Sequence, residues 1–236
     1  MRVAIIPARG GSKRIPRKNI RNFCGKPMIC WSIEMAQQSG CFDRVIVSTD
    51  DEEIASVAKE CGAEAPFVRP QALSDDFTGT GAVMKHALDW LAADGNKLEL
   101  ACCLYPTAPF VTSKDLHAGL TLIRKLDVDF VFSVTSYAFP IQRALKLNKN
   151  ARVEMFDSEN FMSRSQDLTE AWHDAGQFYW GTVQAWANQN VIFSNKSTVV
   201  KLPRYRVQDI DTPEDWAQAE FLFSYLKEKS PDDFCI

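Results

Sequence analysis

Short apolar stretches alternate with segments of helical spacing along most of this chain. Arg2–Pro7 is a compact apolar run, the pattern of a buried strand. Met28–Gln38 follows with apolar residues at helical spacing, and Arg44–Ser48 reads as a second strand. Asp50 then suits a helix N-cap, with Glu53 as its capping-box partner and Gly62 as the stop after Cys61. Residues 82–93 read as a helix, 98–104 as a strand, 114–125 as a helix and 129–135 as a further strand. Thr212, Pro213 and Asp215 fall at the N-cap, N1 and N3 positions of a helix start, and residues 217–226 carry a mostly apolar face.

This alternation predicts an α/β fold with a doubly wound, mostly parallel sheet. In such sheets the ligand lies beyond the carboxyl ends of the strands, so the loops that follow strands carry the information. Residues 139–172 break the alternation and read as an arm or cap. No repeat, low-complexity tract or linker divides the chain, so residues 1–236 are expected to form one domain.

Composition narrows the function classes. Hydrophobic residues make up 46% of the chain and charged residues 24%, ordinary for a soluble protein. The net charge of −3 leaves no general basic field for nucleic acid. The longest apolar runs, 100–105 and 130–134, fall far short of the roughly 20 residues a membrane-spanning helix needs. The chain opens on strand-like residues, not on a leader peptide. Seven cysteines form no CxxC pair and no even framework, and Cys102 and Cys103 sit in an apolar run. Reduced thiols, core packing for that pair and a cytoplasmic location are the expectation.

One local cluster departs from the overall charge. Arg9, Lys13, Arg14, Arg17, Lys18 and Arg21 crowd the loop that follows the first strand. Gly10 and Gly11 allow successive backbone N–H groups to face an anion. Arginine can grip phosphate oxygens in a bidentate fork, whereas lysine acts as a point charge. The loop is neither a Walker A sequence nor a dinucleotide G-x-G-x-x-G, and Pro16 argues against a helix directly after the glycines. A solvated basic turn is the plain alternative. The position at the site end of a buried strand favours a phosphate grip.

A second signal lies at Gln208-Asp209-Ile210-Asp211-Thr212. Residues two apart in extended chain share a side, so Asp209 and Asp211 would face together with Ile210 toward the core. Two carboxylates beside a triphosphate suit Mg²⁺, which takes one or two carboxylates plus phosphate oxygens and water. Asp211 alone could instead help to cap the following helix.

Together these segments resemble the sugar-acid cytidylyltransferases, the family of the CMP-sialic acid synthetases. IIPARGGSKRIPRKNI is similar to their CTP-binding signature, and IVSTDDEEIA, RPQALSDDFTGTG, LYPTAPF and QDIDTPEDW extend the likeness over nearly the whole chain. PIQRAL, SRSQDL, HDAGQFYWG and VQDIDTPEDW look like the branch that acts on pseudaminic acid. Tyr105 stands where the sialic acid enzymes commonly carry Gln before Pro-Thr. His173-Asp174-Ala175-Gly176-Gln177 replaces their Asn-Gly-Ala. Both departures point away from N-acetylneuraminate.

The resemblance implies a Rossmann-like nucleotidyltransferase fold, a homodimer whose arm reaches the partner's sugar site, and the reaction of CTP with a sugar acid to give CMP-sugar and pyrophosphate. It implies that Arg9, Ser12, Lys13, Lys18 and Asn19 hold the triphosphate and cytidine, with Lys18 near the α-phosphate. Ala8, Arg9 and Gly10 would offer backbone contacts to the base, and Thr80 would touch the nucleotide. Asp209 and Asp211 would bind Mg²⁺. Arg9, Lys18 and Asp211 are the expected catalytic residues, Asp211 as candidate general base. For the sugar, Tyr105, Arg143, Arg164, Gln166, His173, Asp174, Gln177 and Tyr179 are candidates. The alternatives are N-acetylneuraminate or a 3-deoxy-octulosonate as substrate, or a nucleotide-sugar glycosyltransferase, a class that often carries an Asp-x-Asp metal motif.

Overall fold

The apolar N-terminal run forms β1 (Arg2–Pro7), and its Val3, Ala4, Ile5 and Ile6 are fully buried. In the computed structural model, which describes residues 1–234, β1 is followed by two short strands, β2 (Asn22–Phe23) and β3 (Lys26–Pro27). Then come α1 (Met28–Gln38), β4 (Arg44–Ser48), α2 (Glu52–Glu60), α3 (Thr80–Ala93), β5 (Leu100–Leu104) and α4 (Ser113–Lys125). The remainder is β6 (Phe130–Ser136), β7 (Leu145–Leu147), β8 (Val153–Met155), β9 (Trp172–Thr182), α5 (Val183–Ala187), β10 (Ser197–Leu202), α6 (Pro213–Lys229) and α7 (Pro231–Phe234).

Among the described residues the main sheet runs in the order β10-β6-β9-β5-β1-β4. β1 pairs in parallel with β4 and β5, and β10 with β6. β9 is the exception: it inserts antiparallel between β5 and β6. The expected mostly parallel α/β sheet is therefore present, with one strand reversed at its centre. The β6–β9 register shifts between Phe132 and Val134, and Gly176, at φ 60°, lies within that irregular stretch.

Side chains alternate across the sheet, so two cores form. Ala4 and Ile6 of β1 pack with Ile29 and Ile33 of α1, Ile54 and Ala58 of α2, and Leu116 and Leu120 of α4. Val3 and Ile5 face the other way, onto Met84, Leu88 and Leu91 of α3 and Trp186 of α5. A third cluster joins Ile15 and Ile210 to Phe23, Trp31, Phe110, Trp216 and Phe223. It anchors the first loop and the acidic segment to the same apolar block. Trp180 and Trp186 are fully buried, and Gly181 lies against the Trp186 ring. A Cβ at Gly181 would meet Phe130 at 2.8 Å as well as the Trp186 indole. Gly181→Ala should destabilise the protein by about 2–3 kcal/mol through overpacking, read as a shift in the urea midpoint.

Several boundaries differ from the expectation. Asp51, not Asp50, caps α2, its Oδ1 accepting from the Ile54 amide at 3.0 Å. Asp50 is drawn away because its carboxylate accepts the Gly10 amide at 3.0 Å. Gly62, at φ 88°, ends that helix as expected. Thr212 caps α6 in a full capping box with Asp215. Not all cysteines are thiols: Cys30 and Cys61 form a disulfide, with Cα atoms 5.6 Å apart across the α1–α2 contact. A separation of 31 residues hid that pairing. Cys102 and Cys103 are fully buried, and burial pushes both thiols well above their ordinary pKa.

Within residues 139–172, β7 and β8 form a separate antiparallel hairpin flanked by 3₁₀ turns. Leu145, Leu147, Phe156 and Phe161 on this segment are exposed. Among the described residues no helix is long and apolar enough to cross a membrane.

Candidate nucleotide site

The loop after β1 is held by carboxylates from the start of α2. Arg17 adopts a left-handed backbone (φ 55°), unusual for a residue with a side chain. Its guanidinium forks onto Asp51, Nη1 to Oδ2 at 2.5 Å and Nη2 to Oδ1 at 2.9 Å, and reaches Glu53. Hydrogen bonding to Arg17 holds the Asp51 carboxyl below the usual carboxylate range. Gly10 passes so close to this helix start that a Cβ there would sit 2.6 Å from Asp51 Oδ2. Asn19, buried, donates from Nδ2 to the Arg9 carbonyl at 3.0 Å.

These internal bonds also account for two of the loop's amides. The Gly10 amide is taken by Asp50 and the Ala8 amide by the Ser48 carbonyl at 2.9 Å. Ala8 itself is fully buried. The N–H groups of Ala8 and Gly10 are thus committed to the protein, and the loop presents side-chain cations instead.

Those cations line a cavity of about 580 Å³ at the carboxyl ends of β1 and β5. Arg9, Ser12, Lys13, Arg14, Lys18 and Asn19 form one wall; Arg69, Asp75, Asp76, Thr78, Thr80 and Tyr105 form much of the rest, and Asp211 closes it. Each cation faces a carboxylate. Arg9 Nη1 donates to Asp76 Oδ1 at 2.6 Å, and Lys13 Nζ donates to the other oxygen of the same carboxylate. Arg14 Nη2 donates to Asp211 Oδ2 at 2.6 Å. Lys18 Nζ donates to the Ile210 carbonyl at 2.8 Å and to Asp211 Oδ1 at 3.2 Å.

Several members of this wall, among them Arg69 and Asp76, were not singled out from the sequence. Arg69 is only 4% exposed; its Nε donates to Ser74 Oγ at 3.1 Å, and Asp50 Oδ1 lies 3.7 Å from its Nη2. Burial pulls its pKa below the ordinary arginine value, and Asp50 offsets part of that. Asp76, like Arg69, lies in RPQALSDDFTGTG, where the visible signal was the string and not a role for each residue.

The acidic pair divides. Ile210 is buried, as the alternation required. Asp215, not Asp211, closes the α6 capping box and also accepts the Asp211 amide at 3.1 Å, which leaves the Asp211 carboxylate for the cavity. Asp209 does not line the cavity, and its carboxyl is raised above the usual range, first by loss of surrounding water and then by the Asp211 charge. Among the described residues no group of three or more His, Cys, Asp and Glu is gathered as a metal cage.

The sugar candidates are scattered. Tyr105 lines the cavity, its hydroxyl 3.1 Å from Thr80 Oγ1. Burial raises its phenol to about 12. Tyr179 is 4% exposed and donates its hydroxyl to Asp174, so it supports the wall from behind. Gln177 is 3% exposed, and its Nε2 donates to the Arg206 carbonyl at 2.6 Å. β9 turns both side chains inward and neither lines the cavity; Gln177 Oε1 is buried with no partner among the described residues. His173 and Asp174 lie at the start of β9 and not in an irregular loop; His173 Nδ1 is 2.8 Å from the Asp174 carbonyl. Arg143, Arg164 and Gln166 are exposed on the 139–172 segment, outside the cavity lining. Arg164 forks onto Asp167 at 2.7 and 3.2 Å.

Known proteins share this chain's sequence and fold. The family model described as cytidylyltransferase matches residues 3–222. A pseudaminic acid cytidylyltransferase of Campylobacter jejuni is 48% identical over 228 residues, 97% of this chain and 98% of that protein. The CMP-N,N'-diacetyllegionaminic acid synthase of Legionella pneumophila is 30% identical over 96% of this chain and 97% of its own length. A solved CMP:2-keto-3-deoxy-manno-octonic acid synthetase complexed with CTP superposes with a TM-score of 0.69 at 18% identity, covering 95% of this chain and 98% of that one, a likeness of fold. The chain belongs to the cytidylyltransferase family, and it is a nucleotidyltransferase.

Proposed function

We propose that the protein activates pseudaminic acid, a nine-carbon sialic-acid-like sugar acid, with CTP to give the CMP-sugar and pyrophosphate. The observation that carries this reading is the cavity at the strand ends, walled by Arg9, Lys13, Lys18 and Arg69 and closed by Asp211. The 48% likeness to an enzyme of that name supports the choice of sugar.

In this reading Lys18, bonded to the Asp211 segment, stands at the α-phosphate. Arg9 and Lys13, on the opposite side with Asp76, hold the β- and γ-phosphates. The anomeric hydroxyl of the sugar attacks the α-phosphorus in line. The new oxygen–phosphorus bond forms as the α–β bridging bond breaks, and pyrophosphate departs with that electron pair. Asp211 takes the hydroxyl proton. Little covalent work falls to the protein; positioning and charge neutralisation dominate. Asp211, whose carboxylate lines the cavity, would hold Mg²⁺ with Asp209 two residues before it, since Mg²⁺ takes one or two carboxylates plus phosphate oxygens and water. Bound there, Mg²⁺ would neutralise phosphate charge.

Tyr105 meets the sugar from the cavity wall, with His173 and Asp174 beyond it. Arg143, Arg164 and Gln166 reach the sugar in a second copy of the chain, giving a homodimer. The exposed Leu145, Leu147, Phe156 and Phe161 beside them supply the apolar contact. We place the enzyme in the cytoplasm, where the buried Cys102 and Cys103 stay reduced.

Pyrophosphate release from CTP with a panel of sugar acids tests the assignment. Pseudaminic acid is expected to turn over at least tenfold faster than N-acetylneuraminate or a 3-deoxy-octulosonate. Turnover of either rival at the higher rate overturns the sugar. Transfer from a nucleotide sugar, with no pyrophosphate formed, would point to a glycosyltransferase.

A further inference from the structure

A short turn, residues 74–79, carries a carboxylate into the cavity. Asp75 Oδ1 accepts the amides of Phe77 at 3.0 Å and Thr78 at 2.7 Å, and the Thr78 hydroxyl at 2.7 Å. Such an Asx turn fixes the local backbone and sets the direction of the next side chain. The Ser74 hydroxyl donates to the Pro70 carbonyl and accepts from Arg69, which ties the base of the turn to the cavity wall. Asp76 is thereby presented to Arg9 Nη1 at 2.6 Å and to Lys13 Nζ. The tip has no apolar anchor: Phe77 is 94% exposed. The turn is ordered within itself, yet it is joined to the opposite wall through two solvent-facing ion pairs. Exposed pairs of this kind exchange partners at small cost.

Arg9 and Lys13 are the cations that the reaction proposed above gives to the leaving end of the nucleotide. We propose that Asp76 is a built-in competitor for that end, a positioning residue that reclaims Arg9 and Lys13 once pyrophosphate is cut free. This rests on the assignment of Arg9 and Lys13 to the β- and γ-phosphates. While the phosphates belong to CTP, base and ribose contacts add to their hold, and one carboxylate cannot displace them. After cleavage, pyrophosphate has only its own charge. Asp76, tethered next to the same cations, then competes at high effective concentration. The carboxylate costs both ligands the same displacement, which CTP offsets with base and ribose contacts and pyrophosphate does not. It also keeps two cations neutralised between turnovers, so stray phosphate is bound less well.

The test is binding of inorganic pyrophosphate to wild type, Asp76→Asn and Asp76→Glu by calorimetry, with product inhibition measured in parallel. Asp76 is exposed and supports no core, so Asp76→Asn keeps the fold. Loss of the competing charge is expected to tighten pyrophosphate binding about fivefold, and to lose that difference at high salt. Asp76→Glu should stay near wild type, because the charge remains. Unchanged or weaker pyrophosphate binding in Asp76→Asn overturns the proposal. A wild type that binds neither pyrophosphate nor CTP instead removes the assignment of Arg9 and Lys13, and the proposal falls with it.

Discussion

Asp211→Ala is expected to lower turnover by about a hundred- to a thousandfold while CTP binding is partly retained. The carboxylate is placed with care: Asp215 holds its backbone amide, and Ile210 beside it is buried. Its two oxygens meet Arg14 and Lys18. Truncation therefore does two opposing things. It removes the proposed proton acceptor and metal ligand, which the transition state needs. It also releases two cations that can turn to the triphosphate, which keeps the ground-state complex. A rate loss with a smaller change in affinity is the signature of an interaction made mainly in the transition state. Single-turnover rates and CTP titration separate the two. Turnover within tenfold of wild type would remove Asp211 from the chemistry. The side chain is partly exposed, so the fold should survive.

Arg206→Leu should cost about 3–5 kcal/mol of stability and lower the melting temperature by roughly 10 °C. The Arg206 and Asp115 side chains are 15% and 9% exposed. Arg206 forks onto the Asp115 carboxylate, Nη2 to Oδ1 at 3.0 Å, and Nη1 also donates to the Phe110 carbonyl at 3.4 Å. Asp115 already serves the N-terminus of α4, accepting the Thr112 amide at 3.0 Å and its hydroxyl at 2.7 Å. Without the guanidinium, a buried negative charge is left among these neutral donors of the α4 start. The penalty of an uncompensated charge exceeds the worth of the pair itself. Arg206 also offers its carbonyl to Gln177, so it ties β9 to the chain that leads into Asp209 and Asp211. Thermal unfolding checks the value; a drop under about 3 °C would show that the pair is replaceable.

Much of the fold was legible because its signals are local. β1, α1 and β4 occur at the expected residues, since apolar runs and helical spacing need no distant partner to be read. The α6 start was equally clear, as Thr212, Pro213 and Asp215 satisfy one another within four residues. Ambiguity began where two neighbours compete for one role. Asp50 and Asp51 both suit an N-cap, and the choice depends on Gly10, 40 residues away. The direction of β9 was not legible either. The strand itself was not read from the sequence, and antiparallel insertion between β5 and β6 is a property of the connections.

The site followed the same rule. The first loop and Asp211 were visible through charge, glycine and spacing. Asp76 was not, because its meaning comes from Arg9, 67 residues earlier. The Cys30–Cys61 bond likewise depends on how two helices pack. Gln177 and Tyr179 looked suited to a polar ligand, yet the sheet turns both into the interior.

The reversed strand bears on how the chain assembles. β5 and β6 do not pair with each other; each waits for β9, whose residues are made some seventy and forty positions later. During synthesis the β4-β1-β5 half can form with the β5 edge open, while β6 has no partner on that side. Unpaired edges of this kind invite association with other chains. Closure by β9 joins the two halves in one step at long sequence separation, which makes it the slow event of folding. Truncations that end before residue 172 would leave that edge open permanently and accumulate as aggregates.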